Sequence, residues 1–112
     1  MDSYTGIVEQ GSKRAAALGY PTINIPLEDD VSGIYIARVH VGSEIFPAAA
    51  FADSRRKILE AHIIDFSERL YGREIIIELL EKIRDTRDFR DDAKLREAIA
   101  GDVAKVRRYF KN

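Results

Sequence analysis

The chain has no cysteine and no tryptophan, and its 112 residues include only two histidines and three prolines. Without cysteine there can be no disulfide, thiolate metal site or cysteine nucleophile. The imidazoles, His40 and His62, lie far apart in sequence, each in a strand-like stretch. They offer little material for a histidine metal site or a Ser-His-Asp triad, and a structural role is expected for both. No apolar run approaches 18 residues, so no transmembrane helix is expected, and the opening Met1-Asp2-Ser3-Tyr4 does not read as a signal peptide. Eighteen Lys and Arg against nineteen Asp and Glu leave a net charge of −1, which gives no global pull toward nucleic acid or an anionic membrane. The cations Lys13, Arg14, Arg55, Arg56 and Lys57 are not regularly interleaved with stacking aromatics, so a nucleic-acid partner is not expected. A cytoplasmic location is the default, consistent with the absence of cysteine.

What is present reads as one globular domain over 1–112, with 46% apolar and 33% charged residues. There is no internal repeat, low-complexity tract or linker. Tyr4 to Glu9 reads as a strand, Gly11 to Gly19 as a loop and Thr22 to Ile25 as a second strand. Pro26 to Ser32 is a solvated connection. In "GIYIARVHV", Gly33 to Val41, residues Tyr35, Ala37, Val39 and Val41 share one face at period 2. Ile45 to Ala52 and Ile58 to Phe66 are further strands. Arg73 to Asp85 fits both periods, but three consecutive isoleucines after Tyr71-Gly72 favour a strand. Leu95, Ala98, Ile99, Val103, Val106 and Phe110 recur at helical steps, with Asp102 a polar interruption of the stripe. Asp91 or Asp92 can cap this helix, and Lys105, Arg107, Arg108 and Lys111 suit its C-terminal end. Strands followed by one packed helix predict a small antiparallel barrel with a C-terminal α-helix.

Two places could carry chemistry. In "LGYPTINI", Leu18 to Ile25, Pro21 forces an extended entry, and alternation puts Thr22 and Asn24 on one face. A hydroxyl and an amide oxygen beside a basic loop could hold Mg²⁺ together with phosphates, or could simply be the polar edge of a strand. Gly11 to Gly19, with Lys13-Arg14, is not a Walker loop, though its N–H groups and cations could wrap phosphate. Glu60 interrupts the apolar strand Ile58 to Phe66, either as a solvent-facing residue or as a carboxylate held for general-base work.

Together these stretches resemble the riboflavin kinase family, over nearly the whole chain from Gly6 to about Arg108. Leu18-Gly19-Tyr20-Pro21-Thr22-Ile23-Asn24 is similar to its Gly-aromatic-Pro-Thr-Ala-Asn signature. Gly33-Ile34-Tyr35 resembles its Gly-Val-Tyr strand, and Leu59-Glu60-Ala61-His62-Ile63 its Glu-x-His strand. Asp65-Phe66, Leu70-Tyr71-Gly72, Ile83-Arg84-Asp85 and Phe89 follow in family order. The resemblance implies a mainly β, six-stranded antiparallel Greek-key barrel, with Arg73 to Asp85 mostly strand. It implies transfer of phosphate from ATP to the ribityl terminal hydroxyl of riboflavin, giving FMN and ADP. In that assignment Glu60 is the catalytic base, and Thr22 and Asn24 are the Mg²⁺ ligands. Gly11, Ser12, Lys13, Arg14, Gly19, Pro21, Asn24 and Arg84 bind substrate or nucleotide. The partners are then riboflavin and ATP, with no membrane and no nucleic acid, and a stand-alone monomer is expected. Two departures stand out. Ala15-Ala16 replaces a common Gly-Arg, and "AAAFADSRR", Ala48 to Arg56, lacks the family's Asn-x-Gly and Pro-Thr. They keep open an alternative, a non-catalytic flavin- or nucleotide-binding module of the same fold.

Overall fold

A computed structural model describes residues 2–111. Seven strands and two helices follow one another: β1 (Asp2–Ile7), β2 (Glu9–Gln10), α1 (Lys13–Ala17), β3 (Ile23–Pro26), β4 (Gly33–Val41), β5 (Glu44–Asp53), β6 (Ile58–Ile63), β7 (Glu74–Arg84) and α2 (Asp92–Phe110). All neighbours in the sheet are antiparallel, in the order β1-β7-β4-β5-β6-β3-β2. The sheet curls into a half-barrel. β1 comes back against β3 at Gly6, where a Cβ would lie 2.9 Å from the Ile25 Cβ, so only glycine permits that approach.

Alternation along the strands sorts the apolar residues into two cores. Inside the curl, Ile25, Leu59, Ile75, Ile77 and Val39 are fully or almost fully buried, each contributing on the order of 1.5–3 kcal/mol by leaving water. Ala37, Val39 and Val41 face this core and Tyr35 packs against it, as period 2 predicts. On the outer face, α2 lays Ile99, Val103 and Val106 against Ile36, Ala49 and Ile64. Ala49 is fully buried there, and its small side chain lets the helix come close. Asp91 caps α2 by accepting from the Ala93 N–H at 2.8 Å, and Arg107 ties the helix to Asp65 with two hydrogen bonds. The Arg107 guanidinium holds the Asp65 carboxyl below the usual carboxylate range.

The differences from the sequence expectation are local. Gly11 to Gly19 contains the short helix α1, because Ser12 caps the Ala15 N–H ahead of a run of good helix formers. The first strand splits into β1 and the two-residue β2, which raises the strand count to seven. Thr22 lies one residue before β3, and β6 ends at Ile63 rather than Phe66, since Asp65 turns the chain with φ of 54°. Arg73 to Asp85 is strand over Glu74–Arg84, as the isoleucine run indicated. No helix among the described residues is long and apolar enough to cross a membrane.

One outlying tyrosine yields a pH prediction. Partial burial, then a 3.0 Å hydrogen bond to Asp29, push the Tyr4 phenol up to about 12. The unfolded phenol titrates near 10, so Tyr4's contribution to stability is complete below pH about 10 and declines as pH rises toward about 12. Alkaline unfolding of Tyr4→Phe should lack that decline, and its phenolate absorbance titration should lose the latest-ionising component. An unchanged titration curve would contradict the assignment.

Candidate active site

β6 supplies Glu60, β3 and the turn before it supply Asn24 and Thr22, and the segment around α1 forms the opposite lip. The Thr22 Oγ1 donates to Glu60 Oε1 at 2.9 Å and accepts the Ser12 N–H, also at 2.9 Å. This chain of bonds joins the strand carboxylate to the α1 loop. Gly11 makes it possible. A Cβ there would overlap the Thr22 carbonyl and hydroxyl. Pro21 sets the chain entering β3, and its carbonyl accepts from the His62 Nδ1 at 2.8 Å. A carbonyl can only accept, so Nδ1 carries the proton. The Tyr20 ring meets the His62 ring edge-on, with centroids 5.3 Å apart. His62 thus braces the Thr22 turn, and His40 contacts Glu78 on a strand face. Neither imidazole enters the site.

The Glu60 side chain is 13% exposed, and the far more exposed Arg56 places Nη2 3.4 Å from its Oε2. Arg56 is held in turn by Asp53, whose Oδ2 accepts from Nε at 2.9 Å. The same Asp53 caps the turn at 54–57 by accepting the Arg55 and Arg56 N–H groups. This compact turn is what "ADSRR" builds where the family's Asn-x-Gly and Pro-Thr are missing. The Arg56 hydrogen bond holds the Asp53 carboxyl below the usual carboxylate range.

Thr22 and Glu60 open into a cleft of about 260 Å³. Its apolar wall is Ile34, Phe51, Leu95 and Ile99, and its polar rim includes Ser12, Arg14, Arg56 and Arg84. Arg14 crosses the mouth to pair with Asp92 on the first turn of α2 at 2.9 Å. Arg84, ending β7, makes a bidentate pair with Asp102 at 2.9 and 2.8 Å. Ala15 lines the cleft in helical backbone, so a glycine's access to positive φ is not needed there.

Of the residues singled out in the sequence, Glu60, Thr22, Ser12, Arg14 and Arg84 converge on this cleft. Asn24 stands opposite Glu60 in the β3–β6 register without lining it. Lys13 and Gly19 are exposed on the α1 loop, and Gly11 and Pro21 act through backbone geometry. Sequence reasoning did not assign Arg56, Asp53 or Asp102 to the site. The Asp-Ser-Arg-Arg turn three residues before Glu60 was a usable signal, as was the lone acid on α2's apolar stripe. Among the described residues no group of three His, Asp or Glu could hold a metal, whereas Asn24 Oδ1 is buried without a hydrogen-bond partner. An orphaned oxygen of that kind calls for an explanation.

The bifunctional riboflavin kinase/FMN adenylyltransferase of Bacillus subtilis is 31% identical over 96% of this chain and 38% of its own length. The chain thus spans about two fifths of the length of the curated relatives it matches. A crystal structure of riboflavin kinase from Trypanosoma brucei matches with a TM-score of 0.67 at 25% identity, covering 96% of this chain and 78% of that one. A crystal structure described as a macrolide-efflux protein from Streptococcus pneumoniae matches with a TM-score of 0.80 at 26% identity, over 94% of this chain and 38% of that one. The family model for riboflavin kinase, the flavokinase domain, matches residues 2–110. This chain belongs to the riboflavin kinase family.

Proposed function

We propose that the chain phosphorylates riboflavin with ATP, giving FMN and ADP. The observation that carries this reading is the Ser12–Thr22–Glu60 hydrogen-bond chain, which aims a nearly buried carboxylate into a cleft with cationic lips. Glu60 acts as the base. A carboxylate offers about four lone-pair sites, so with Thr22 and Arg56 each using one, sites remain for the terminal hydroxyl of the ribityl chain. That oxygen attacks the γ-phosphorus of ATP as its proton passes to Glu60. The bond from the γ-phosphorus to the bridging oxygen breaks, and ADP leaves with the electron pair. Phosphoryl transfer depends on positioning and charge neutralisation more than on covalent chemistry, and Arg14 and Arg56 supply cations at the lips.

The residues present fit a Mg²⁺ ion. Thr22 Oγ1, donating to Glu60 and accepting from Ser12, keeps one lone pair, and Asn24 Oδ1 has none engaged. Mg²⁺ takes a few protein oxygens and completes its shell with phosphate and water. When bound, the ion would neutralise charge on the ATP phosphates. Thr22 and Asn24 would hold it, and Glu60 stays free for the proton. We place the reaction in the cytoplasm and expect a monomer to carry it out.

Incubating the protein with riboflavin and MgATP should give FMN by flavin chromatography, with formation abolished by chelator. No FMN, with riboflavin still quenched on binding, would replace this reading by that of a non-catalytic flavin-binding module. Binding of neither ligand would remove both.

A further inference from the structure

Glu60 is to take a proton from the oxygen that attacks the γ-phosphorus, so two anions, a carboxylate and a phosphoryl group, must meet across one hydroxyl. The Glu60 side chain is only 13% exposed, and like charges repel most where water screens them least. Its two oxygens are placed differently. Oε1 takes the Thr22 hydroxyl at 2.9 Å. Among the described residues, Oε2 has only Arg56, whose Nη2 lies 3.4 Å away.

Arg56 is anchored there without being used up. Its Nε donates to Asp53 Oδ2 at 2.9 Å, while Asp53 Oδ1 accepts the Arg55 and Arg56 N–H groups at 3.1 Å each. The anchoring carboxylate is thus fixed through both oxygens by the turn that carries Arg56 itself. A guanidinium has five N–H groups, and here one is spent on Asp53 and one leans on Glu60. Nη1 has no hydrogen-bond partner among the described residues, and the residue borders the cleft with Thr22 and Glu60. Arg14 and Arg84 on the same rim give Nε and Nη2 to acids of α2, Asp92 and Asp102. Of these three arginines only Arg56 touches the base, and it keeps an unengaged nitrogen on the same planar fork. An ion pair as open as that of Arg56, 62% exposed, with Asp53 adds little to stability, so the anchorage is not explained by the fold.

We propose that Arg56 bridges the two anions: Nη2 stays on Glu60 while Nη1 engages an oxygen of the γ-phosphoryl group, and Asp53 is the positioning residue that fixes the fork. The choice of anion rests on the function proposed above. Arg56 then recognises the γ-phosphoryl group and not the rest of the nucleotide. Arg56→Ala removes an exposed side chain, so its denaturant midpoint should stay near that of the parent protein. The deciding measurement is calorimetric binding, without riboflavin, of MgADP and of Mg-adenylyl imidodiphosphate, which keeps a γ-phosphoryl group that cannot be transferred through an oxygen bridge. Affinity for the imido analogue should fall at least about 10-fold, the scale of one charge-assisted hydrogen bond, with MgADP within about twofold. Riboflavin quenching should match the parent. Asp53→Asn, whose amide oxygen can still accept the two turn N–H groups, should show a smaller loss confined to the same analogue.

An equal loss for the analogue and for MgADP would overturn the proposal and make Arg56 a general attractor of anions. Parent-like binding of the analogue by Arg56→Ala would overturn it too, leaving a surface partner of Asp53. So would loss of fold in Arg56→Ala and Arg56→Lys alike, since the side chain would then be a folding requirement. Were the parent protein to bind the analogue but form no FMN, the kinase reading would fall while the two nucleotide affinities still decided the role of Arg56.

Discussion

Replacing Glu60 by Gln is expected to lower FMN formation at least about 10²-fold, the span commonly lost with a general base, with little change in stability. Glutamine keeps the shape and its carbonyl oxygen can still accept from Thr22, so the Ser12–Thr22–Glu60 chain survives, while its NH2 group gives up the 3.4 Å contact with the exposed Arg56. The loss should therefore fall on kcat, with riboflavin and MgATP binding close to the parent values. Single-turnover measurement at saturating substrates distinguishes this from slow product release. If kcat fell less than tenfold, Glu60 would be a structural partner of Thr22 and some other group would have to take the ribityl proton.

Gly11→Ala should be almost as damaging, for a steric reason. The new Cβ would coincide with the Thr22 carbonyl and hydroxyl. Those are backbone and short side-chain atoms that cannot swing aside. Either the α1 lip or the Thr22 turn must shift, and the Ser12 N–H to Thr22 bond breaks with it. Overpacking of this kind costs about 1–3 kcal/mol, and displacing catalytic groups by about 1 Å can cost about 10²-fold in rate. The informative control is Gly19→Ala on the same loop. Gly19 has φ of 95° but nothing within 4 Å of an added Cβ. Only backbone strain of about 1–2 kcal/mol is expected there, with much of the activity kept. Equal effects of the two alanines on kcat/KM would show that the loop's flexibility, and not the contact with Thr22, is what matters.

The contrast between these glycines also marks how far the sequence could be read. Both were visible as punctuation around a basic stretch, but which of them touches the site depends on how the loop folds back. The elements that rest on long, regular patterns were legible. The α2 stripe and the period-2 face of β4 need only local chemistry, and the isoleucine run of β7 was decided by β-branching. The short α1 was not, since five residues lie well below the length at which helices hold alone. Its existence depends on the Ser12 cap and on packing. In the site, the pairing of Thr22 with Glu60 spans 38 positions, which no spacing rule anticipates. Thr22 and Asn24 were placed on one face by alternation, and Glu60 meets both, through a hydrogen bond from Thr22 and the cross-strand register to Asn24, although only Thr22 of the two lines the cleft. Asp102 looked like a flaw in a helix because its partner lies on a strand.

The order of the sheet has one more consequence, for the way the chain is made. β1 lies beside β7, with Asp2 opposite Leu79, so once made it has no ladder partner until the seventy-odd residues up to β7 have followed. At about 5–20 residues per second, that is a wait of roughly 4–15 s. β3 and β6, which carry the proposed catalytic groups, can meet earlier, but their inner face stays uncovered until β7 and β1 complete the curl. Pairing between such distant segments belongs to the slower class of folding topologies, milliseconds to seconds. Assembly of the cleft therefore waits on β7, and until it pairs Ile25 and Leu59 lack part of the core that buries them.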